Sequence, residues 1–540
     1  MQICGSGDLA FGEGGNCPGV LRGPVRCASQ KDHFAGGEAP VLWQNRGMQE
    51  TVLIELAPLG VRLEVARGSA LADILAEQGV EFPCGGSGLC GGCRVRVIEG
   101  ELPAGISDPF VFTEEELAQG WRLACRARAE TPLKLEVGQW VTPVLIDATR
   151  LEGSGRAGLG IAVDIGTTTI AAQLLDLASG EVLGVRTTLN PQCTHGADVM
   201  SRVLFALSSS SLTPLIRKAI GEMTAALAGG RAQEVREVVL VGNTVMHHLF
   251  GGIDVEPLSH APFVPKNDGE LHFTPEELNW ALPPACRIRF LPCLGGFVGS
   301  DILAGMVAVN LADSRRLRAL IDLGTNGEIA LGNRDRILCA STAAGPAFEA
   351  ASIRMGMRAA TGAISHVFLR DGSLECQVIG GAPARGICGS GVVDAVAAGL
   401  DMGVIRPGGG FAAGIQEFRI HGPVSLTQAD IRELQLAKAA IASGMRLLLQ
   451  HWGAGHDDLE VVHLAGAFGN YVRFESAVRI GLLEMAPCKI AAAGNTALHG
   501  AKKLLLSPGL HPAIQVEHVP LAFAQRFQEL FVQCLSFPRR

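Results

Sequence analysis

The stretch Cys84-Gly-Gly-Ser-Gly-Leu-Cys90-Gly-Gly-Cys93 constrains this chain more than any other: it sets three thiols in ten residues with five glycines among them. A fourth thiol, Cys125, follows in Arg122-Leu-Ala-Cys125-Arg. Glycine has more backbone freedom to lose than any other residue, so such a run is a poor helix or strand interior but a good wrapping loop. A binuclear iron–sulfur cluster needs four thiolates and a backbone that comes close enough to point N–H groups at the sulfurs. Cys84, Cys90, Cys93 and Cys125 are therefore the expected metal ligands. A structural zinc site is the other use of four cysteines, but it usually shows two separated C-x2-C pairs and needs no such glycines. Plant-type clusters use C-x4-C-x2-C with a distant fourth Cys, and this chain has one residue more in the first gap.

The frame around the loop is short and strand-rich. Thr51 to Leu56 and Val61 to Val65 alternate apolar and polar, Leu71 to Gln78 reads as a helix, and Arg94 to Ile98 and Leu133 to Val137 read as strands. The cysteine pattern in this frame resembles the [2Fe-2S] ferredoxin domains with C-x5-C-x2-C spacing, over residues 49–138. That resemblance implies an α+β, ferredoxin-like (β-grasp) domain that moves one electron at a time. Residues 1–47 are Gly-rich, contain Cys4, Cys17 and Cys27 without metal-like spacing, and are expected to be a disordered extension, with Met48 an alternative start of translation. Residues 139–157, with Pro143, Gly153, Ser154 and Gly155, read as a linker.

At 540 residues the chain is too long for this one domain, and 48% hydrophobic with 18% charged residues is enough apolar material for several cores. Its 45 Lys and Arg against 53 Asp and Glu give a net charge of −8, with no basic block of the kind that binds phosphate backbones, so nucleic acid is excluded as the main partner. No apolar run reaches membrane-spanning length. Met1 to Gly15 carries Asp8 and Glu13 and has neither a basic n-region nor an apolar h-region, which points to the cytoplasm. Fifteen cysteines, an odd count, argue against a disulfide framework.

The remainder alternates apolar strand runs with Ala/Leu-rich helical runs, the pattern of layered α/β architecture. It also repeats itself. Ile161-Ala-Val-Asp164-Ile-Gly166-Thr167-Thr168-Thr169 and Leu320-Ile-Asp322-Leu-Gly324-Thr325-Asn326-Gly327 share Asp, apolar, Gly, Thr behind an apolar strand, and the two aspartates are 158 positions apart. A repeat at that distance predicts a duplicated half. Small and hydroxyl residues in such a turn expose N–H groups that cradle phosphate oxygens, and a carboxylate at the strand end can hold Mg²⁺ through water. A lone Asp-x-Gly-Thr is also an ordinary β-turn; two copies carry the argument. A third run, Val462-His463-Leu464-Ala465-Gly466-Ala467-Phe468-Gly469-Asn470, resembles an adenosine-binding loop.

Two phosphate loops and an adenosine loop in this order resemble the acetate and sugar kinase, Hsp70 and actin superfamily, over residues 158–540. The resemblance implies a two-lobed α/β actin-like ATPase domain, with lobes at 158–318 and 319–540, closing on ATP and Mg²⁺. Asp164 and Asp322 would be the catalytic carboxylates near metal and water. Gly166, Thr167, Thr168, Gly324, Thr325, Asn326, Gly327, Gly466, Ala467 and Gly469 would bind the nucleotide. The two domains together, with Asn190-Pro-Gln192, Gly196-Ala-Asp198-Val-Met-Ser-Arg202, Gly242-Asn243-Thr-Val-Met-His247 and Gly386-Ile-Cys388-Gly-Ser-Gly391, resemble the reductive activators of corrinoid enzymes. That family implies ATP-dependent transfer of one electron from a [2Fe-2S] cluster to an inactive Co(II) corrinoid protein of a methyltransferase system, restoring Co(I). It implies an electron-donating reductase or ferredoxin as a second partner, and a homodimer as one arrangement the family admits. The alternatives are an ATP-dependent donor to another low-potential enzyme such as an acyl-CoA dehydratase or reductase, a non-hydrolysing electron-transfer adaptor, and, for the second part alone, a sugar kinase.

Other reactive residues have plainer roles. His247 and His248 are adjacent, so they cannot form the i, i+4 ligand pair of a helix and are expected to pack or cap. Cys286, Cys293, Cys339 and Cys534 lack cluster spacing and are expected to be core or surface thiols, and Cys388, in the Gly386–Gly391 loop, is either redox-active or a small buried hydrophobe. Glu114-Glu-Glu116 reads as a solvated helix start whose acidic face could meet a basic reductase.

Overall fold

The computed structural model describes residues 50–57, 61–77, 88, 93–137, 151–196, 198–324, 326–357, 359, 362–379, 383–507 and 515–539. The expected extension 1–47, the Met48 start, Cys84, Cys90, Thr325 and most of the linker lie outside them.

In the cluster domain the strand Thr51–Ala57 alternates exposed and buried residues, which sends Val52, Ile54 and Leu56 into the core. The sheet order is Val61–Ala66, Thr51–Ala57, Leu133–Val137, Arg94–Glu99 and Trp121–Leu123, with Thr51–Ala57 and Leu133–Val137 parallel and the other pairs antiparallel. The short helix Leu71–Glu77 adds Leu71 and Leu75 to the same core as Val95, Leu123 and Leu135. Sequence periodicity missed Trp121–Leu123, a strand too short to alternate visibly.

Past the linker the chain builds two six-stranded sheets of one design. In the first, Leu159–Ile165, Thr169–Asp176 and Val182–Leu189 form an antiparallel meander, and Val235–Gly242 and then Arg287–Phe290 add in parallel on the far side of Leu159–Ile165. In the second, Leu317–Leu323, Gly327–Gly332 and Ile337–Thr342 form the meander, and Leu459–Ala465 and Ile490–Gly494 add in parallel beside Leu317–Leu323. The central strands are buried on both faces, which is why they read as continuous apolar runs rather than alternating ones.

Two helices cross between the halves. Ser300–Ala308 follows the first sheet, yet Ile302, Leu303 and Met306 pack with Leu320 and Ala330 of the second. Thr496–Leu506 follows the second sheet, yet Leu498, Ala501 and Leu505 pack with Ala162 and Val239 of the first. The helices touch through small residues: a Cβ on Gly500 would fall on the Ala304 carbonyl, so only glycine allows this approach. Among the described residues no helix is long and apolar enough to cross a membrane.

Candidate functional site

Each meander opens with a hairpin whose turn is one of the paired loops. Strand Leu159–Ile165 carries Asp164 at its end, and the turn through Gly166, Thr167 and Thr168 leads into Thr169–Asp176. The turn is braced. The Gly166 N–H donates to the Thr169 carbonyl at 3.0 Å, the Asn190 N–H to the Thr168 carbonyl at 2.8 Å, and the Asn190 Nδ2 to the Gly166 carbonyl at 2.9 Å. Asn243 Nδ2 donates to Thr167 Oγ1 at 3.1 Å, while its Oδ1 caps helix Thr244–Gly251 through the Met246 N–H. Asn190 and Asn243 belong to strings the sequence singled out; their task, holding the first loop, needed the fold to become visible.

The second hairpin places Asp322 at the end of Leu317–Leu323, with the Gly324 N–H donating to the Asn326 carbonyl at 3.0 Å. Gly327 leaves the turn. It starts the next strand, and a Cβ there would collide with Ile441, so the structure gives it a packing task against the long helix Gln428–Trp452. Gly466 follows strand Leu459–Ala465, whose Ala465 pairs with Asp322. At φ +83°, with Asp322 Oδ1 only 2.8 Å from where its Cβ would be, Gly466 keeps space open beside the carboxylate. Ala467 lies in the short helix Gly466–Tyr471, and Gly469 of the same helix is buried against the Leu464 backbone.

Asp164 and Asp322 stand near enough for the charge of Asp164 to raise Asp322, and two further carboxyls that sequence reading missed lie within the same reach. Asp301, at the start of helix Ser300–Ala308, and Glu328, paired with Asp322 across the second hairpin, complete a group of four carboxyls. Burial is the largest influence on all four. It raises Asp164 to about 6 against the hydrogen bond from Asn495, Asp322 to about 7 with help from Asp164, and Asp301 to about 8 with help from Asp322 and Asp164. Glu328 is driven well above the usual carboxylate range by burial and by Asp301 and Asp322. Asn495 Nδ2 donates to Asp164 Oδ2 at 2.9 Å, and Ser341 Oγ to Glu328 Oε1 at 3.4 Å. No Lys, Arg or His pairs with any of the four among the described residues. Buried carboxylates without a cation fit a site that receives one with its ligand. Yet among the described residues no three His, Cys, Asp or Glu side chains stand close enough to grip one ion together. That donor set suits Mg²⁺ held through water and phosphate.

Beside the second loop lies a cavity of about 270 Å³ to which both lobes contribute, lined by Val199, Met200, Phe263, Phe297, Asn326 and Ser341 among others. Its walls are mainly apolar.

In the cluster domain the fold brings Cys93 and Cys125 to neighbouring positions. Cys93 precedes strand Arg94–Glu99, Arg94 pairs with Leu123, and the Ala124 N–H donates to the Cys93 carbonyl at 3.1 Å. Gly88, inside the glycine run, has φ +78°, and a Cβ would press on Ser107 Oγ at 3.0 Å and Arg126 Nε at 3.1 Å. The described part of the loop therefore fits the close wrap a cluster needs. Of the other described thiols, Cys286, Cys293, Cys339, Cys388 and Cys534 are buried, Cys193 and Cys376 are half-buried, and Cys488 is exposed. Burial pushes Cys286 and Cys339 up to about 12, and Cys388 sits buried with its Sγ 3.3 Å from Ser390 Oγ. His247 and His248 are buried, with ring nitrogens on the Gly269 carbonyl at 3.0 Å and the Thr244 carbonyl at 2.8 Å. Burial lowers His247 to about 4, so it packs as a neutral ring.

Residues 54–130 match the 2Fe-2S iron-sulfur cluster binding domain, 159–314 the RACo middle region, and 316–540 the C-terminal domain of RACo, the ASKHA domain. The chain is 32% identical to the corrinoid activation enzyme RamQ of Eubacterium limosum, across 88% of this chain and 97% of that protein. It is 29% identical to the [Co(II) methylated amine-specific corrinoid protein] reductase of Methanosarcina barkeri, across 70% of this chain and 77% of that protein. Among solved structures, the reductive activator for corrinoid, iron-sulfur protein superimposes with a TM-score of 0.62 at 27% identity, covering 90% of this chain and 98% of that one.

Proposed function

Because the chain belongs to the family of corrinoid activators that join a [2Fe-2S] ferredoxin domain to an ASKHA domain, we propose that it is an ATP-hydrolysing reductive activator of a corrinoid protein. One electron is added to an inactive Co(II) corrinoid held by a partner protein, giving Co(I) for methyl transfer. An electron-donating reductase or ferredoxin restores the donor, and the reaction belongs to the cytoplasm. The observation that supports this reading best is one polypeptide in which a glycine-spaced cysteine run and paired hairpins ending in buried carboxylates occur together.

Bound by Cys84, Cys90, Cys93 and Cys125, a [2Fe-2S] cluster supplies one-electron chemistry. The residues of the chain do the rest. Thr167 and Thr168 on one side, and Thr325 and Asn326 on the other, offer N–H and side-chain donors to the nucleotide phosphates, while Gly166 and Gly324, whose N–H groups close the turns, let the backbone approach. Asp164 and Asp322 hold the hydrated metal and orient the attacking water. Gly466 leaves room for the nucleotide beside Asp322. ATP is required because for one electron every 59 mV of uphill potential costs about 1.4 kcal/mol, and a ligand shifts an equilibrium only by its differential affinity for the two states. Lobe closure around ATP supplies that difference.

The test is anaerobic reduction of a Co(II) corrinoid protein followed in the cobalt spectrum. Co(I) should appear only with ATP, Mg²⁺ and a reductant together, and ATP turnover should rise when the corrinoid protein is added. Cys93→Ser should stop Co(I) formation and leave nucleotide affinity within about twofold, the margin for an untouched site. Equal Co(I) yield without ATP would overturn the reading.

A further inference from the structure

Asn495 joins the two lobes at their most sensitive point. It sits at the end of the second sheet, while Asp164, to which it donates at 2.9 Å, belongs to the first. Its Oδ1 is engaged as well, accepting the Leu498 N–H at 2.8 Å and so capping helix Thr496–Leu506. The orientation of this amide is therefore tied to the helix it starts.

At the other end the helix is held with equal care. The last carbonyls of a helix have no partner within it. Here the Leu504 carbonyl accepts from Arg289 Nη2 at 3.1 Å, and the Leu505 carbonyl accepts from Arg156 Nη2. Both arginines are fixed by the buried carboxylate of Glu237: Arg156 Nη1 lies 2.8 Å from Oε2 and Arg289 Nε 2.9 Å from Oε1, with Arg287 a third partner at 3.1 Å. Arg156 belongs to the connection between the cluster domain and the first lobe, and its Nε also reaches Ser154 Oγ at 3.2 Å, which bonds the Leu177 carbonyl at 2.8 Å. Eleven residues at about 1.5 Å each put roughly 16 Å between the two anchored ends. Between them the helix is packed too tightly to bend. Gly500 rides against the Ala304 carbonyl, Leu505 fills the space over Gly160, and Lys503 Nζ bonds the Val307 and Ala308 carbonyls at the end of the neighbouring helix.

We propose that Asn495 is a positioning residue for Asp164, and that the helix it caps is a rigid rod linking the nucleotide site to the Arg156–Glu237 clamp at the root of the cluster domain's tether. The proposal deepens the function proposed above and rests on it. When Asp164 shifts to meet metal and phosphate, the amide follows, the rod moves as a body, and the carbonyls at its far end pull on Arg156. The nucleotide state then reaches the connection that sets where the cluster domain stands.

The test uses the full chain with its cluster reconstituted, a Co(II) corrinoid protein and ATP-Mg²⁺. Asn495→Ser keeps an oxygen that can cap the helix but is too short to reach Asp164. It should lower kcat for ATP about tenfold, with KM changed less than twofold and thermal stability unchanged. Arg156→Ala lies outside the nucleotide site. It should leave ATP turnover within twofold of the parent but cut Co(I) formed per ATP hydrolysed at least fivefold. Amide exchange in residues 151–157 should slow at least threefold when the parent protein binds ATP-Mg²⁺, and in neither variant. A parent-like Co(I)-to-ATP ratio in Arg156→Ala, or a parent-like kcat in Asn495→Ser, would overturn the rod while leaving the activator function intact. Failure of the unmodified protein to make Co(I) would instead strike the function itself.

Discussion

The two hairpins share a fold and differ in how they are furnished. In the first, Asp164 pairs across the hairpin with Ala171, its turn is braced by Asn190 and Asn243, and the carboxylate accepts a hydrogen bond from Asn495. In the second, Asp322 pairs with Glu328, and no side-chain donor reaches Asp322 among the described residues. The consequence is electrostatic: burial raises both aspartates, but the Asn495 amide opposes the rise at Asp164 while the charge of Asp164 adds to it at Asp322. Duplication kept the strand, the turn and one carboxylate in each half. The first half became a fixed cradle and the second a carboxylate whose charge depends on what binds.

The difference breaks most sharply under substitution of the second aspartate. Asp322→Asn removes the group that only a bound cation stabilises as an anion, and ATP turnover should fall by about 10² to 10³, as when one preorganised charge-stabilising group is lost. The cluster spectrum should not change. A loss below about fivefold would mean that Asp322 lies outside the chemistry.

Acid should act on the same asymmetry. Both carboxylates must be ionised to hold metal, so at low Mg²⁺ turnover should fall about tenfold per pH unit between about 7 and 6 and more steeply below about 6. More Mg²⁺ should move this limb to lower pH, because a nearby cation favours the charged form. Metal-free stability has the opposite sign. A carboxyl raised from near 3.8 to about 7 stabilises the fold fully below pH 4 and loses that contribution as pH rises through 7. The metal-free melting temperature should therefore drop between about pH 4 and 7, less so in Asp322→Asn, and Mg²⁺ with ATP should restore it.

Weakening the brace should cost less. Asn243→Ala removes one hydrogen bond to Thr167 and the cap of helix Thr244–Gly251, each a contribution of about 1 kcal/mol. The KM for ATP should rise about three- to tenfold with kcat nearly unchanged, since the first loop contributes binding rather than charge. A large fall in kcat would show that the first turn also shapes the reaction path.

What was legible in the sequence follows the distance between interacting residues. Asp164 with Gly166, and Asp322 with Gly324, announce themselves because strand, turn and carboxylate are contiguous and occur twice. The strands Thr51–Ala57 and Leu133–Val137 were visible because one-sided burial imposes alternation. Asn495 was not, because its partner Asp164 is 331 positions away and an Asn before an Ala/Leu run is first of all a helix cap. Asp301 was hidden for the same reason: it joins the site only because helix Ser300–Ala308 crosses to the opposite sheet. Gly327 shows a second constraint that the sequence hid. Its place in a phosphate-loop string points to a binding role, and Ile441, a residue of a helix far along the chain, independently leaves no room for a side chain there.

The smallest expected effect is the most discriminating between the hairpins. Glu328 faces Asp322 across the second one, is almost wholly buried, and has its carboxyl raised by burial and by Asp301 and Asp322, which favours its neutral form. A neutral carboxylic acid and an amide have nearly the same shape and neither carries charge. Glu328→Gln should therefore leave ATP turnover within about twofold at pH 7, whereas an ionised glutamate in the reaction would cost the factor expected at Asp322. Glu328→Ala separates the remaining role: it opens a gap under the hairpin and frees Ser341 Oγ, and it should lower thermal stability more than it lowers turnover. If Gln proves as damaging as Asn at position 322, Glu328 works as an anion and the second hairpin contributes two charges to the nucleotide where the first contributes one.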